Sequence, residues 1–238
     1  MNKLEKYFDA TYIWQSFSML LPFLKVTFLV SILSVIFGTI LGFLLAIMKL
    51  SGNPFAKKLA NAYTTAIRCT PSIVLLFLIY YGVPALSEQF GVNLDQVDKM
   101  VFIVITFSLQ FAAAMSEVIR SSYQAIDKGQ FEAAVSVGLS PIQAYRRIIF
   151  PQAFVVALPN FGNSLLELIK EGSLAYTIGL IDVMGKASLI IDGRYNAHAL
   201  ETYIALSVIY WVISIAIEQT FAKLEKIFSK GKQVLKTT

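Results

Sequence analysis

Few residues in this chain could do chemistry, and the most suggestive of them stand in apolar surroundings at helical spacing. Glu167 and Lys170 are three apart, and Glu171 lies four from Glu167. That spacing puts all three on one face of a helix, where the ammonium can neutralise a carboxylate. Asn160, Asn163 and Ser164 precede them. Ionisable groups inside a bilayer cost about 2.5–3.5 kcal/mol each on insertion scales. Such a polar stripe is therefore either a water-lined path or a set of hydrogen bonds between helices. Glu117 and Arg120 are also three apart, and read as an ion pair fixing a helix end. Other chemistries lack their residues. One histidine, His198, and one cysteine, Cys69, rule out a zinc cluster and an internal disulfide. His198 reads as a loop or interface residue, and an intramembrane enzyme would want paired acids or clustered histidines. An ATPase would need GxxxxGK[ST] to cradle phosphates. The only Gly-Lys pairs are Gly185-Lys186 and Gly231-Lys232, and the earlier glycine is replaced by Leu180 and Lys226.

The elements that must position these residues follow from composition. The chain has 238 residues, 56% hydrophobic and 15% charged, with a mean hydropathy of +0.66. Soluble domains carry about 25% charge, and disorder needs low hydrophobicity. The apolar residues fall in long blocks without strand-like alternation, so the chain reads as an all-α polytopic membrane protein. Charge-poor blocks predict five spans, near 26–48, 67–87, 100–118, 152–171 and 200–220. The stretch 173–183 is apolar but short and holds a glycine, and reads as a re-entrant or interfacial segment, with six spans as the rival count; a sixth span would move the lysine-rich tail outside, against the positive-inside rule. Residues 1–19 read as an outward-facing segment with no small-residue cleavage site, so the first span is expected to be retained. Residues 222–238 read as a basic tail. Gly38 and Gly42, one turn apart, allow close helix approach, within the chain or between copies. Tyr12, Trp14, Tyr80 and Tyr81 suit membrane interfaces.

Net charge is +5, which in a soluble protein would hint at nucleic acid. Five spans sort that charge by side. Lys49, Lys57, Lys58, Arg68, Arg120, Lys128, Arg146, Arg147 and the lysines from Lys223 onward fall together, opposite Glu88, Asp95, Asp98, Glu171, Asp182, Asp192 and Glu201. The positive-inside rule makes the basic side cytoplasmic, with the N-terminus outside, the C-terminus inside, and Arg68 capping the cytoplasmic end of the second span. The partner implied is a lipid bilayer, with no role for nucleic acid.

The most informative connector lies between the third and fourth spans. Glu132 to Val137 reads as a short helix beginning with an acid, which suits a positive N-terminal dipole. Gly138 suits its stop. Ser140 can cap a second helix, with Pro141 at the first position and Gln143 completing a capping box. Arg146 and Arg147 fall at that helix's end, and Pro151 is expected to stop it and start the next span. The result is a compact knob suited to docking on a cytoplasmic partner.

This connector resembles the EAA loop of permease subunits of ATP-binding-cassette (ABC) importers. Glu132, Ala133, Ala134, Gly138, Ile148 and Pro151 match that pattern at its spacing, and Phe150 replaces the usual Leu. Further stretches resemble the polar amino acid branch: Arg68-Cys69-Thr70-Pro71, Glu117 with Arg120, Lys128-Gly129-Gln130, Pro151-Gln152-Ala153, Pro159, Asn163, and Lys170-Glu171-Gly172-Ser173-Leu174. Gly172 departs from that branch's usual Thr. The resemblance spans about residues 20–221 and implies a type I importer transmembrane domain in the cell membrane. It implies coupling through the loop to separate ATPase subunits, a second permease copy or paralogue, an external solute-binding protein, and a polar amino acid such as cystine as substrate. No cofactor is implied. Asn163, Glu167, Lys170, Glu171 and Ser173 would line the pathway or gate. A secondary transporter or channel is the alternative. It would want coupling carboxylates near mid-membrane and usually an internal repeat, whereas the acids here cluster near span ends.

Overall fold

The computed structural model describes residues 8–229, all of whose regular structure is helical. Asp9 caps the first helix, α1 (Ala10–Leu20), by accepting the Thr11 N–H at 2.9 Å. A single 3-10 turn at Leu21–Phe23, where Pro22 removes a donor, joins it to α2 (Leu24–Leu50). Segment 10–19 is therefore part of a longer helical unit. It packs on α10 (Ala199–Ser229) and α9 (Val183–Asp192) through Tyr12 and Leu20. Tyr12, expected as an interface anchor, is buried, and its ring stacks on His198 at 4.1 Å.

The second expected span is a bent pair. α3 (Pro54–Cys69) and α4 (Ser72–Glu88) meet at 106°. Pro71 explains the break: its ring drives Thr70 into an extended conformation (φ −92°, ψ 125°). α5 (Lys99–Gln124), α8 (Phe150–Gly172) and α10 complete the large helices. Four helical stretches among the described residues are long and apolar enough to cross a membrane, and the count reaches five when the bent pair is taken as one span.

α2 and α5 run in parallel and form the centre of the molecule. A Cβ on Gly38 would lie 2.8 Å from the Phe111 Cβ, and one on Gly42 would lie 2.7 Å from the Met115 Cβ. The two glycines thus let these helices approach within the chain, which settles the choice between internal packing and pairing of copies. Around this seam Val30, Leu76, Ile103, Phe107, Phe111, Met115 and Leu168 form the main core.

The stretch after α8 is a 3-10 helix at Ser173–Ile178 ended by Gly179 in a left-handed conformation, then α9. It is short and packs beneath α10 and α1. Asp182 caps α9 through the Gly185 N–H at 2.8 Å and receives the Thr27 hydroxyl at 3.3 Å. α10 runs on to Ser229, past the expected edge at 220. The basic tail's Lys230, Lys232 and Lys236 lie outside the described residues, as do positions 1–7.

Candidate functional site: a docking loop and a polar cavity

The connector between α5 and α8 folds into α6 (Lys128–Ser136) and α7 (Pro141–Ala144). α6 begins earlier than expected, because Asp127 accepts the Gly129 N–H at 2.7 Å and caps it. Glu132 therefore sits mid-helix. Gly138 has φ +91°, the left-handed geometry that side chains resist. Its N–H donates to the Val135 carbonyl at 2.9 Å, and the Leu139 N–H donates to the Ala134 carbonyl at 3.2 Å. These are the two bonds of a Schellman stop. The expected capping box is present: the Ser140 N–H donates to Gln143 Oε1 at 2.9 Å, and the Gln143 N–H donates to Ser140 Oγ at 3.3 Å.

Pro151 does not stop the helix. The chain passes from α7 through a π turn at Tyr145–Ile149 directly into α8. The Phe150 N–H bonds the Tyr145 carbonyl, five residues back. This wider turn gives the Pro151 ring room that a normal α turn would deny it. Arg146 and Arg147 lie in this turn. Tyr145 holds the loop together, with ring centroids 5.1 Å from Phe131, 5.8 Å from Phe150 and 6.4 Å from Tyr123 of α5. Ala134 and Ala144 are buried, while Glu132, Ala133, Gly138 and Pro151 are exposed and Ile148 is half-buried. At the tip, Val137 is 80% exposed and Ile142 78%. Two apolar side chains held out by a rigid frame are suited to insertion into a partner's groove.

A cavity of about 520 Å³ lies between α3, α4, α5 and α8. One wall is the polar face of α8, with Asn160, Asn163, Ser164, Glu167 and Glu171. The other side contributes Arg68, Ser72, Gln110 and Glu117. Ligand pockets commonly fall within about 300–1,000 Å³. The α8 spacing is what brings Asn163, Glu167 and Glu171 together here, as expected. Lys170 and Ser173 are not among the lining residues. Lys170 is exposed and makes no ion pair among the described residues, and the Ser173 hydroxyl donates to the Lys170 carbonyl at 2.7 Å. The expected neutralisation of an α8 acid by Lys170 is absent, because Lys170 points off the face that lines the cavity. Gln110 was not singled out from sequence. Its Oε1 is buried with no hydrogen-bond partner among the described residues.

Behind the cavity stands a closed ion network. Glu117 Oε2 receives Arg120, as the spacing implied, at 2.6 Å from Nη2. Glu117 Oε1 receives Lys49 Nζ at 2.7 Å. Lys49 is fully buried and also donates to the Thr64 hydroxyl at 2.6 Å and the Ser116 hydroxyl at 2.8 Å. All three ammonium donors are satisfied, so Lys49 ties α2, α3 and α5 together. Counted from sequence as a loop cation, it is a buried structural group. The signal that could have found it is its place directly after the apolar run ending at Met48, with Glu117 available on another span.

Comparison with known proteins agrees with this architecture. Residues 38–226 match the family described as binding-protein-dependent transport system inner membrane component. The L-cystine transport system permease protein TcyL of Bacillus subtilis is 40% identical over 229 residues, covering 96% of this chain and 95% of that protein. The nopaline transport system permease protein NocM of Agrobacterium fabrum is 36% identical, covering 89% of this chain and 88% of that protein. A crystal structure of an amino acid ABC transporter with histidines superimposes with a TM-score of 0.80 at 31% identity, over 92% of this chain and 98% of that one. The MetNI methionine ABC transporter in an inward-facing conformation shares the fold, with a TM-score of 0.63 at 16% identity, over 97% of this chain and 100% of that one. With its helical membrane architecture and its connector between α5 and α8, the chain belongs to the binding-protein-dependent transport system inner membrane components, the permease subunits of ABC importers.

Proposed function

We propose that this permease subunit imports a polar L-amino acid, cystine foremost, by alternating access driven by separate ATPase subunits that dock on α6 and α7. The observation that carries this reading is the loop. It is a rigid, capped knob with exposed apolar residues, and it continues without a break into the helix that walls the polar cavity. The absence of a phosphate-cradling motif supports ATP hydrolysis on another chain. The name of the cystine permease relative supports the substrate. A second permease copy and an external solute-binding protein complete the assembly. The loop side is the cytoplasmic one, supported by the basic residues gathered there, so the N-terminus lies outside and the C-terminus inside. Glu132, Ala133, Ala134, Gly138, Ile148 and Pro151 carry coupling, and Asn163, Glu167 and Glu171 line the path.

Gly138→Val tests this. A β-branched side chain at φ +91° strains the stop that sets α7 against α6. The variant should insert and assemble with its ATPase, yet lose substrate-stimulated ATP hydrolysis in proteoliposomes. Full stimulation in that variant would sink the coupling assignment. ATP depletion should abolish uptake by the wild-type complex, and persistence of uptake would favour a secondary transporter or channel.

A further inference from the structure

α3 carries three stripes, and one of them is packed. Ala60, Tyr63, Thr64 and Ile67 face α2, α4 and α5. The second stripe is apolar and exposed. Phe55, Leu59, Ala62 and Ala66 follow one another at helical spacing, with Phe55 75% exposed and Leu59 54%. The third is polar and exposed, with Lys58, Asn61, Thr65 and Arg68. Its last three residues border a second cavity of about 550 Å³, and Arg68 lines that cavity as well as the one on α8. A helix with an apolar flank beside a cationic one belongs at a boundary between lipid and water. Its place in the fold agrees. Lys49 stands in the last turn of α2, so its bond to Thr64 sets α3 at that end of the bundle. The 106° elbow then turns α3 across α4 rather than along it.

The charge on α3 is one-sided. No acid falls between Ser51 and Pro71. Lys57 and Lys58 make no ion pair among the described residues. Lys57 closes the first turn of α3, where the helix dipole already favours an anion. Lys58 is three residues from Phe55, so it stands beside the apolar stripe. We propose that the start of α3 binds an anionic phospholipid. Lys58, helped by Lys57, holds the phosphate of the headgroup, and an acyl chain lies along Phe55 and Leu59. A second copy docked through the same stripe would bring four lysines together with no acid from α3 between them. A leaflet of anionic headgroups supplies the missing charge, and the cytoplasmic leaflet is the anionic one.

The test uses the assembled permease–ATPase complex in vesicles that contain brominated phosphatidylglycerol or brominated phosphatidylcholine. Phe55→Trp places a fluorophore on the stripe, and the signal is the quenching it adds over the unaltered complex. Brominated phosphatidylglycerol should quench at about fivefold lower mole fraction than phosphatidylcholine. Lys57→Gln with Lys58→Gln should erase that preference, and Lys58→Arg should keep it. Raising the salt to about 0.5 M should shrink it in the unaltered lysine background, a check that needs no loss of charge in the protein. Equal quenching by the two lipids, or a preference that survives the double variant, overturns the site. No added quenching by either lipid means that a protein surface covers the stripe, and also overturns it. Loss of the preference on adding inorganic phosphate alone, at constant ionic strength, would make the ligand a free anion rather than a lipid. Uptake is not read, so failure here leaves the proposed import standing.

Discussion

The Lys49 network and the α8 wall put charged residues into the same membrane domain and treat them in opposite ways. Lys49 is fully buried, and each donor has a partner on one of two other helices. Glu167 and Glu171 face an open cavity and have no cation. Saturation marks the first as structure, since a buried charge is tolerated only when fully paired. Lack of a paired cation on the second fits the proposed path, where a mobile ligand would supply the missing charge.

Lys49→Met should break this contrast most severely. It leaves the half-buried Glu117 without its buried cation and takes away the donor to the Thr64 and Ser116 hydroxyls, a loss on the order of 3–5 kcal/mol. The measurement is thermal stability of the purified complex, and an unchanged melting temperature would refute the structural role. Glu167→Gln with Glu171→Gln should do the reverse, cutting transport by about tenfold or more while leaving the melting point near wild type. Asp182 sharpens the comparison from a third side. It is 2% exposed like a staple residue, yet its hydrogen-bond donors are neutral, and Lys186 lies over the Phe23 ring instead. Burial pushes its carboxyl up to about 6 from 3.8, against the opposing pull of its hydrogen bonds. The folded chain then keeps a proton that the unfolded chain releases earlier. The stability this gives is complete below about pH 4 and is lost as pH rises to about 6, on the order of 3 kcal/mol in all. Asp182→Asn, which keeps an acceptor for Gly185, should flatten that part of the melting profile. Lys170→Ala should do least, within about 0.5 kcal/mol for an exposed side chain and with transport intact. A transport defect would return Lys170 to the pathway.

Local features were legible from sequence because neighbours in the chain cause them. The Schellman stop at Gly138, the Ser140–Gln143 capping box and the shared face of Asn163, Glu167 and Glu171 all depend on residues within a turn or two. What was not legible depends on distant contacts. Lys49 looks like a loop cation until Thr64, Ser116 and Glu117 close around it. The role of Gly38 and Gly42 stayed open until Phe111 and Met115 were seen against them. Arg68 looked like the cap of a straight span, and only the 106° elbow turns it toward two cavities. Pro151 reads as a breaker, and it takes five residues of altered winding to absorb it.

That winding has a mechanical consequence. Helix runs from Pro141 through the π turn to Ile178 as one 38-residue stretch, so the docking knob and the carboxylates of the cavity wall sit on a single rod. At 1.5 Å per residue, Glu171 lies about 45 Å along it from Pro141. A small tilt imposed at the knob would swing the far carboxylates through several ångströms, with the extra residue of the π turn setting the direction in which the rod faces. On the proposed reading, a lever arm rather than a chain of relayed contacts would join the docking loop to the cavity wall.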